Sequence, residues 1–387
     1  MLKRFTVKNY RNFKDRISID FSDVAGYQYN MDCLTNNPTE KYLGKILIYG
    51  RNATGKTNFG KAINDIKSMF IPIYSNDSFF MINADSNERY ADFNYLFQFD
   101  NDEIEYCYEK ESFLNITKES LFLNGEQVFE MDFFNKHFNV KGLRSIGANT
   151  VIVDKYLKSI KEMNNKNFYV QIPFLRWLLN NTAFNDSSSF NFLYYYINNM
   201  NFITAVKSSN RQSIPQKSNF YEALSIGNNL KRFEEFLNYM GLKCKLKLEQ
   251  LPDSSYELYF VHDIKKIPFS ETASSGTIGL MDLYRNIVIK ESVGPSLLYL
   301  DEFDAFYHYE MSEKVIKYFK EVMPYTQIIL TTHNTNLITN EFMRPDCIFI
   351  LSGHGTLTSL PHATKRELRE GHNLEKMYVS GEFKNYE

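Results

Sequence analysis

Long apolar runs are missing from this chain: no stretch approaches the roughly 20 consecutive apolar residues of a membrane-spanning helix. The opening segment MLKRFTVKNYRNF breaks its apolar residues with charges too often for a secretory signal. No membrane partner is therefore expected. Cysteine is scarce, and Cys33, Cys107, Cys244 and Cys347 are scattered with no C-x-x-C pair and no zinc spacing. That argues against a disulfide scaffold and a zinc finger; reduced thiols in a cytoplasmic protein are the simplest reading. Neither charge is in excess, with 44 Lys+Arg against 46 Asp+Glu. A basic nucleic-acid tail and an acidic disordered chain are thereby excluded as the main theme, while a local basic groove is not. Internal repeats, low-complexity tracts and sustained heptads are also lacking. What is present is folding material. Hydrophobic residues make up 43% of 387 residues, with 33 Phe and 27 Tyr, enough for a large core and, by length alone, two or three domains.

Periodicity organises the chain. Phe5-Thr6-Val7 and Ile17 to Phe21 alternate as half-buried strands do. The run Lys45 to Tyr49 is apolar enough for a strand buried on both faces. After it, Phe59, Ala62, Ile63, Ile66 and Phe70 share one helical face. From about Ala91 to Glu130 the period becomes that of antiparallel strands, with Asn124-Gly125 as a hairpin turn. From about Ser145 to Met240 the pattern is helical; Phe233, Phe236, Leu237 and Met240 mark one helix, closed by Gly241. The stretch Leu242 to Leu248 alternates strictly and puts Lys243, Lys245 and Lys247 on one strand face. The last third alternates helices with the apolar strands SLLYLDE, QIILTTH and CIFILSG, the rhythm of a mostly parallel sheet.

Four motifs carry chemistry. Gly50-Arg51-Asn52-Ala53-Thr54-Gly55-Lys56-Thr57 fits G-x-x-x-x-G-K-[ST] between a strand and a helix. Its backbone N–H groups and the helix N-terminus suit a phosphate, Lys56 neutralises charge on it, and the Thr57 hydroxyl is an Mg²⁺ ligand. Asp301 and Glu302 end an apolar strand at the edge where ligands bind; Asp301 is the Mg²⁺ carboxylate and Glu302 the base for water. His333 ends a second apolar strand, placed to meet a γ-phosphate or the attacking water. Ser274-Ser275-Gly276-Thr277 opens a helix as a second anion site, although plain N-capping explains it in isolation.

The order of these motifs resembles the ABC/SMC-like ATPase head, and most closely the "AAA family ATPase" proteins of bacterial phage-defence operons, of the RloA/AbiL type and related to OLD-family ATPases. The openings FTVKNYRNFKD and the ending THNTNLI…RPD…RELREGHNLEKMYVSGEF carry it as well. The resemblance implies an α/β P-loop head with a mixed or parallel sheet, an antiparallel β-lobe and a helical insertion. It divides the chain into residues 1–144, a first part of the head; 145–240, the insertion; and 241–387, the second part. It implies ATP and Mg²⁺ as cofactors. Gly50 to Thr57 with Asn58 contact the nucleotide, joined by Arg11 and Asn12. Ser274, Ser275, Gly276 and Thr277 stand where the signature meets ATP held by a second subunit, although Ala273 and Ser275 depart from the common LSGG form. Asp301 and Thr57 hold the metal, Glu302, His333 and Lys56 are catalytic, and Asp304 and His308 lie in the inter-subunit loop. Gln98 is the nearest candidate for the magnesium-sensing glutamine.

The expected function is an ATP-hydrolysing switch that forms a head-to-head dimer or higher homo-oligomer and controls a separately encoded effector such as a nuclease. Residues 334–387 fall short of a nuclease domain's usual size. The alternatives are a RecF/SMC-like DNA-repair head, for which the three lysines make DNA or RNA a possible partner, and a scaffold that binds ATP without turnover. Aromatics such as Phe190, Phe192 and Tyr194-Tyr195-Tyr196 either fill the insertion's core or face a partner.

Overall fold

The computed structural model describes residues 1–36, 40–71, 80–113, 115–148, 150–162, 172–204, 215–287 and 294–386. Two sheets share one core. The central sheet has six strands in the order Asn201–Thr204, Leu297–Asp301, Gln327–Thr332, Lys45–Tyr49, Ile348–Leu351 and Leu357–Ser359. All pairings are parallel except the last. The continuous apolar text of its inner strands reflects this, since every residue of Lys45–Tyr49, Leu297–Asp301 and Gln327–Thr332 is buried. Parallel pairing also gathers the C-terminal ends of three strands, and with them the motifs, on one edge.

The second sheet is the expected antiparallel lobe, seven strands running from His137–Asn139 through Glu126–Asp132, Asn115–Leu123, Asp102–Ser112, Ala91–Phe99 and Leu2–Lys8 to Ile17–Asp20. Asn124 and Gly125 both adopt positive φ, 53° and 82°, as a two-residue hairpin of this type requires. The helix Lys56–Ile63 is clamped between the sheets. Phe59 meets Phe5 of the lobe at 5.8 Å, Tyr95 donates its hydroxyl to the Ala62 carbonyl at 2.8 Å, and Tyr299 of the central sheet donates to the Lys56 carbonyl at 2.6 Å. Gly60 permits this approach, because a Cβ there would stand 2.3 Å from the Tyr299 ring.

Three expectations need correcting. The apolar face from Phe59 to Phe70 is not one helix: the chain breaks at Asn64, whose side chain bonds back to the Gly60 carbonyl at 3.1 Å, and restarts as Asp65–Phe70. The stretch from Ser145 to Met240 is not all helical, because Asn201–Thr204 pairs parallel with Leu297–Asp301 as an edge of the central sheet. The alternating lysine stretch is strand only from Leu246, and Lys247 is paired with Glu249 at 2.8 Å. The aromatic set divides: Phe190 and Tyr196 are buried, whereas Phe192, Tyr194 and Tyr195 are exposed. No helix among the described residues is long and apolar enough to cross a membrane.

Candidate nucleotide site

The phosphate loop leaves the buried strand Lys45–Tyr49 and closes on the helix Lys56–Ile63. Ala53 and Gly55 take left-handed backbone, φ 65° and 107°. Gly55 has two reasons to be glycine: that φ, and the Asn12 side chain 2.3 Å from where a Cβ would stand. Asn12 donates to the Thr54 carbonyl at 3.1 Å and accepts from Asn58 at 2.7 Å, while Arg11 reaches Asn58 Oδ1 at 3.5 Å. Arg11 and Asn12 thus flank the loop. Their turn is pinned from behind: the Arg11 N–H donates to the Met81 carbonyl at 2.7 Å, and Asn83 Nδ2 donates to the Arg11 carbonyl at 2.6 Å. No sequence signal pointed to Asn83.

Lys56 is folded over the loop, its Nζ donating to the carbonyls of Gly50 at 2.7 Å and Arg51 at 3.0 Å. Burial holds its pKa below the ordinary lysine range, opposed by Glu302, Asp301 and Asp304. Asp301 faces it. The Thr57 hydroxyl donates to Asp301 Oδ2 at 2.7 Å and the Thr331 hydroxyl to Oδ1 at 3.0 Å. Burial pushes the Asp301 carboxyl above the usual range; the two hydroxyls and Lys56 pull it back. Glu302 stands at φ 51°, an uncommon conformation for a residue with a Cβ, held by its N–H donating to Thr331 Oγ1 at 2.8 Å. Thr332 repeats the device one residue on. Its hydroxyl donates to Asp304 Oδ2 at 2.7 Å and accepts the Asn334 N–H at 2.9 Å. Read from sequence, these threonines were a polar step before His333; in the fold they set both acidic positions. His333 is exposed in an open cleft of about 430 Å³ shared with Asp304, Tyr307 and Asn334.

The structure brings together Gly50 to Asn58, Arg11, Asn12, Asp301 and Glu302, with His333 beside Asp304. Among the described residues no hydrogen bond joins Ser274, Ser275, Gly276 or Thr277 to the loop. Ser274 caps the helix Ser275–Ile287, accepting the Thr277 N–H at 3.2 Å with its hydroxyl 2.9 Å from that of Thr277. Among the described residues these bonds stay within the turn, and Ser274 and Ser275 are exposed. His308 precedes the helix Tyr309–Val322 and is exposed. Gln98 lies away from the loop. Its side chain bonds the Asp100 carbonyl at 2.8 Å and its own carbonyl takes the Met1 amine. Neighbouring Leu2 is tied to Gln327, at the start of the histidine strand and the opposite edge from the loop.

The donor set fits Mg²⁺, a hard ion that prefers oxygen and takes few protein ligands beside substrate phosphates. Thr57 Oγ1 and the Asp301 carboxylate would hold it, and when bound it would neutralise charge on the phosphates.

Solved structures similar to the chain include the SMC head domain from Thermotoga maritima, at 17% identity over 92% of this chain and 98% of that chain with a TM-score of 0.46. Another is the Smc head domain bound to the C-terminal domain of ScpA from Pyrococcus furiosus, at 13% identity over 93% and 96% with a TM-score of 0.43. No curated protein matches the chain. Residues 46–339, from the phosphate-loop strand past His333, match the family described as "AAA domain, putative AbiEii toxin, Type IV TA system", and the chain belongs to this AAA-domain family.

Proposed function

We propose that the chain is an ATP-hydrolysing switch that dimerises head to head around ATP and governs a separately encoded effector such as a nuclease. One observation carries this reading: Thr57, Asp301, Thr331 and Glu302 form an unbroken line of hydrogen bonds from the phosphate loop to the edge carboxylates. Binding needs no new framework. Lys56 exchanges two loop carbonyls for the β- and γ-phosphates, while the loop N–H groups and the helix N-terminus receive the remaining phosphate charge. Glu302 orients and deprotonates the attacking water. His333, at the mouth of the cleft, meets the developing charge. Exposed Ser274 and Ser275 supply the helix-start donors for the nucleotide of a second copy. The family description reads "putative AbiEii toxin, Type IV TA system", so toxicity of the chain itself is the reading that competes with a separate effector. The DNA-head reading is weakened by the ion pair that occupies Lys247.

Phosphate release by the purified chain tests the proposal. Turnover is expected from the wild type; Lys56→Ala should lose nucleotide binding, and Glu302→Gln should bind ATP with turnover reduced at least about a hundredfold. Normal turnover by Glu302→Gln overturns the assignment of the base. Cleavage of DNA or RNA by the chain alone overturns the separate effector.

A further inference from the structure

The helix Ser275–Ile287 carries a glycine in each of its first two turns, where alanine would favour the helix. Space explains both. A Cβ on Gly276 would stand 3.2 Å from the Phe306 carbonyl oxygen, and one on Gly279 would stand 3.3 Å from the Tyr307 hydroxyl. With Asp282 these glycines recur every three residues, and so share one face of the helix. That face is the seat of the loop that follows Glu302.

The loop itself is tightly wound. The Ala305 N–H donates to the Glu302 carbonyl at 3.0 Å and the Tyr307 N–H to the Asp304 carbonyl at 3.1 Å, so two overlapping turns tie Tyr307 to both acidic positions. Tyr307 faces two spaces. On one side it lines the open cleft with Asp304 and His333. On the other it borders a cavity of about 30 Å³ with Gly279, Asp282 and Asp301. Burial and the Asp282 carboxylate push its hydroxyl above the ordinary tyrosine range, so it works as a neutral group. Contact and void together make a joint that can move. The glycine face meets the loop without slack, whereas the void toward Asp301 leaves room for a small shift of ring or helix in an otherwise close-packed interior.

We propose that Tyr307 is a positioning residue that couples the helix Ser275–Ile287 to the His333 cleft of the same copy. What sets the helix in motion rests on the dimer reading above: the ATP of a second copy engages the exposed helix start at Ser274 and Ser275. Gly279 lies one turn further in, against the loop. A shift of the helix therefore carries Phe306 and Tyr307 with it, and Tyr307 resets the cleft in which Asp304 and His333 stand. Nucleotide held by one copy thereby readies the catalytic edge of the other, and the two sites of the dimer act together although each phosphate loop, Asp301 and Glu302 come from one chain.

Gly279→Ala in the full chain is the test. The change favours a helix in itself, so the melting temperature should not fall. The new methyl crowds the Tyr307 hydroxyl and should lower turnover roughly tenfold, while a fluorescent ATP analogue binds as before. Adding Tyr307→Phe deletes the crowded atom and leaves the nearest ring carbon at 3.6 Å, an ordinary contact; most of the turnover should return. Hydrogen–deuterium exchange of the ATP-free chain reads the coupling without the dimer. Peptides covering residues 303–308 and 333–335 should exchange at an altered rate in Gly279→Ala and at the wild-type rate in the double variant. Unchanged exchange at 333–335 in Gly279→Ala overturns the coupling, as does a double variant no more active than Gly279→Ala. A melting temperature that falls with the turnover overturns it too, because the loss is then one of folding. Altered exchange that the double variant reverses upholds it even where ATP leaves the native mass unchanged, a result that strikes only at the dimer.

Discussion

At the scale of the residue, the site depends on a threonine that bears no chemistry of its own. Thr331 donates to Asp301 and accepts from the Glu302 N–H, so one hydroxyl positions both carboxylates. The Glu302 bond matters most, because it helps hold a left-handed backbone at φ 51° that a non-glycine residue adopts only at a cost. Thr331→Val keeps the shape and removes both bonds. It should lower kcat by about tenfold to a hundredfold, the worth of a hydrogen bond to a charged group, with nucleotide affinity nearly unchanged, and Thr331→Ser should restore most of it. Steady-state phosphate release with a separate nucleotide titration measures the two effects. An unchanged kcat in the valine variant would show that Glu302 is held by other means. That Lys56, Thr57, Asp301 and Glu302 gather at one sheet edge was legible in the sequence, because two short motifs each follow a buried strand of the parallel sheet. Thr331 was not, since its role exists only once two strands distant in sequence pair.

At the scale of the element, the same division holds. Strands and turns with strong local signatures were legible: the apolar runs, Asn124-Gly125, and Gly241 at φ 100° closing the helix Asn229–Tyr239. Asn201–Thr204 was not, because an edge strand of four residues has too little length for its period to show, and its partner lies far along the chain. Nor was the tie between the lobe and the helix Phe174–Asn181. Glu119, buried in a lobe strand, accepts the N–H groups of Phe174 at 2.5 Å and Leu175 at 3.2 Å and the Tyr106 hydroxyl at 2.8 Å. Burial raises its carboxyl from 4.5 to about 7, although these three donors pull it down. The sign follows from linkage. Between the unfolded and folded values the native state retains a proton that the unfolded chain has released, so stability falls as pH rises through that window and levels off above it. This contribution is at most about 3 kcal/mol. Glu119→Gln mimics the protonated acid, so it should flatten that part of the slope and cost little at alkaline pH. Thermal melts at ~pH 5 and ~pH 8 compare the two proteins; parallel slopes would exclude Glu119 as their source.

At the scale of the whole molecule, the fold is interleaved. The central sheet takes Lys45–Tyr49 from the first part of the chain, Asn201–Thr204 from the middle and the other four strands from the last third. One edge of that sheet presents the phosphate loop, Asp301, Glu302 and His333, all from a single copy. The helix start at Ser274 and Ser275 is exposed, and its hydrogen bonds stay within its own turn. A site that needs donors on both sides of the γ-phosphate is completed, on our reading, by the Ser274 turn of a second copy, which makes ATP part of an interface. Glu302→Gln, slow to hydrolyse, should therefore double its native mass when ATP and Mg²⁺ are added and return to the smaller species when they are removed. Ser274→Arg places a long side chain at the contact but lies outside the loop; it should block the doubling in the Glu302→Gln background while each copy still binds ATP. Size-exclusion chromatography with light scattering reads the mass, and a fluorescent ATP analogue reads the binding. Doubling that survives Ser274→Arg would place the contact elsewhere, and an ATP-bound Glu302→Gln protein that keeps its smaller mass would remove the dimer from the mechanism.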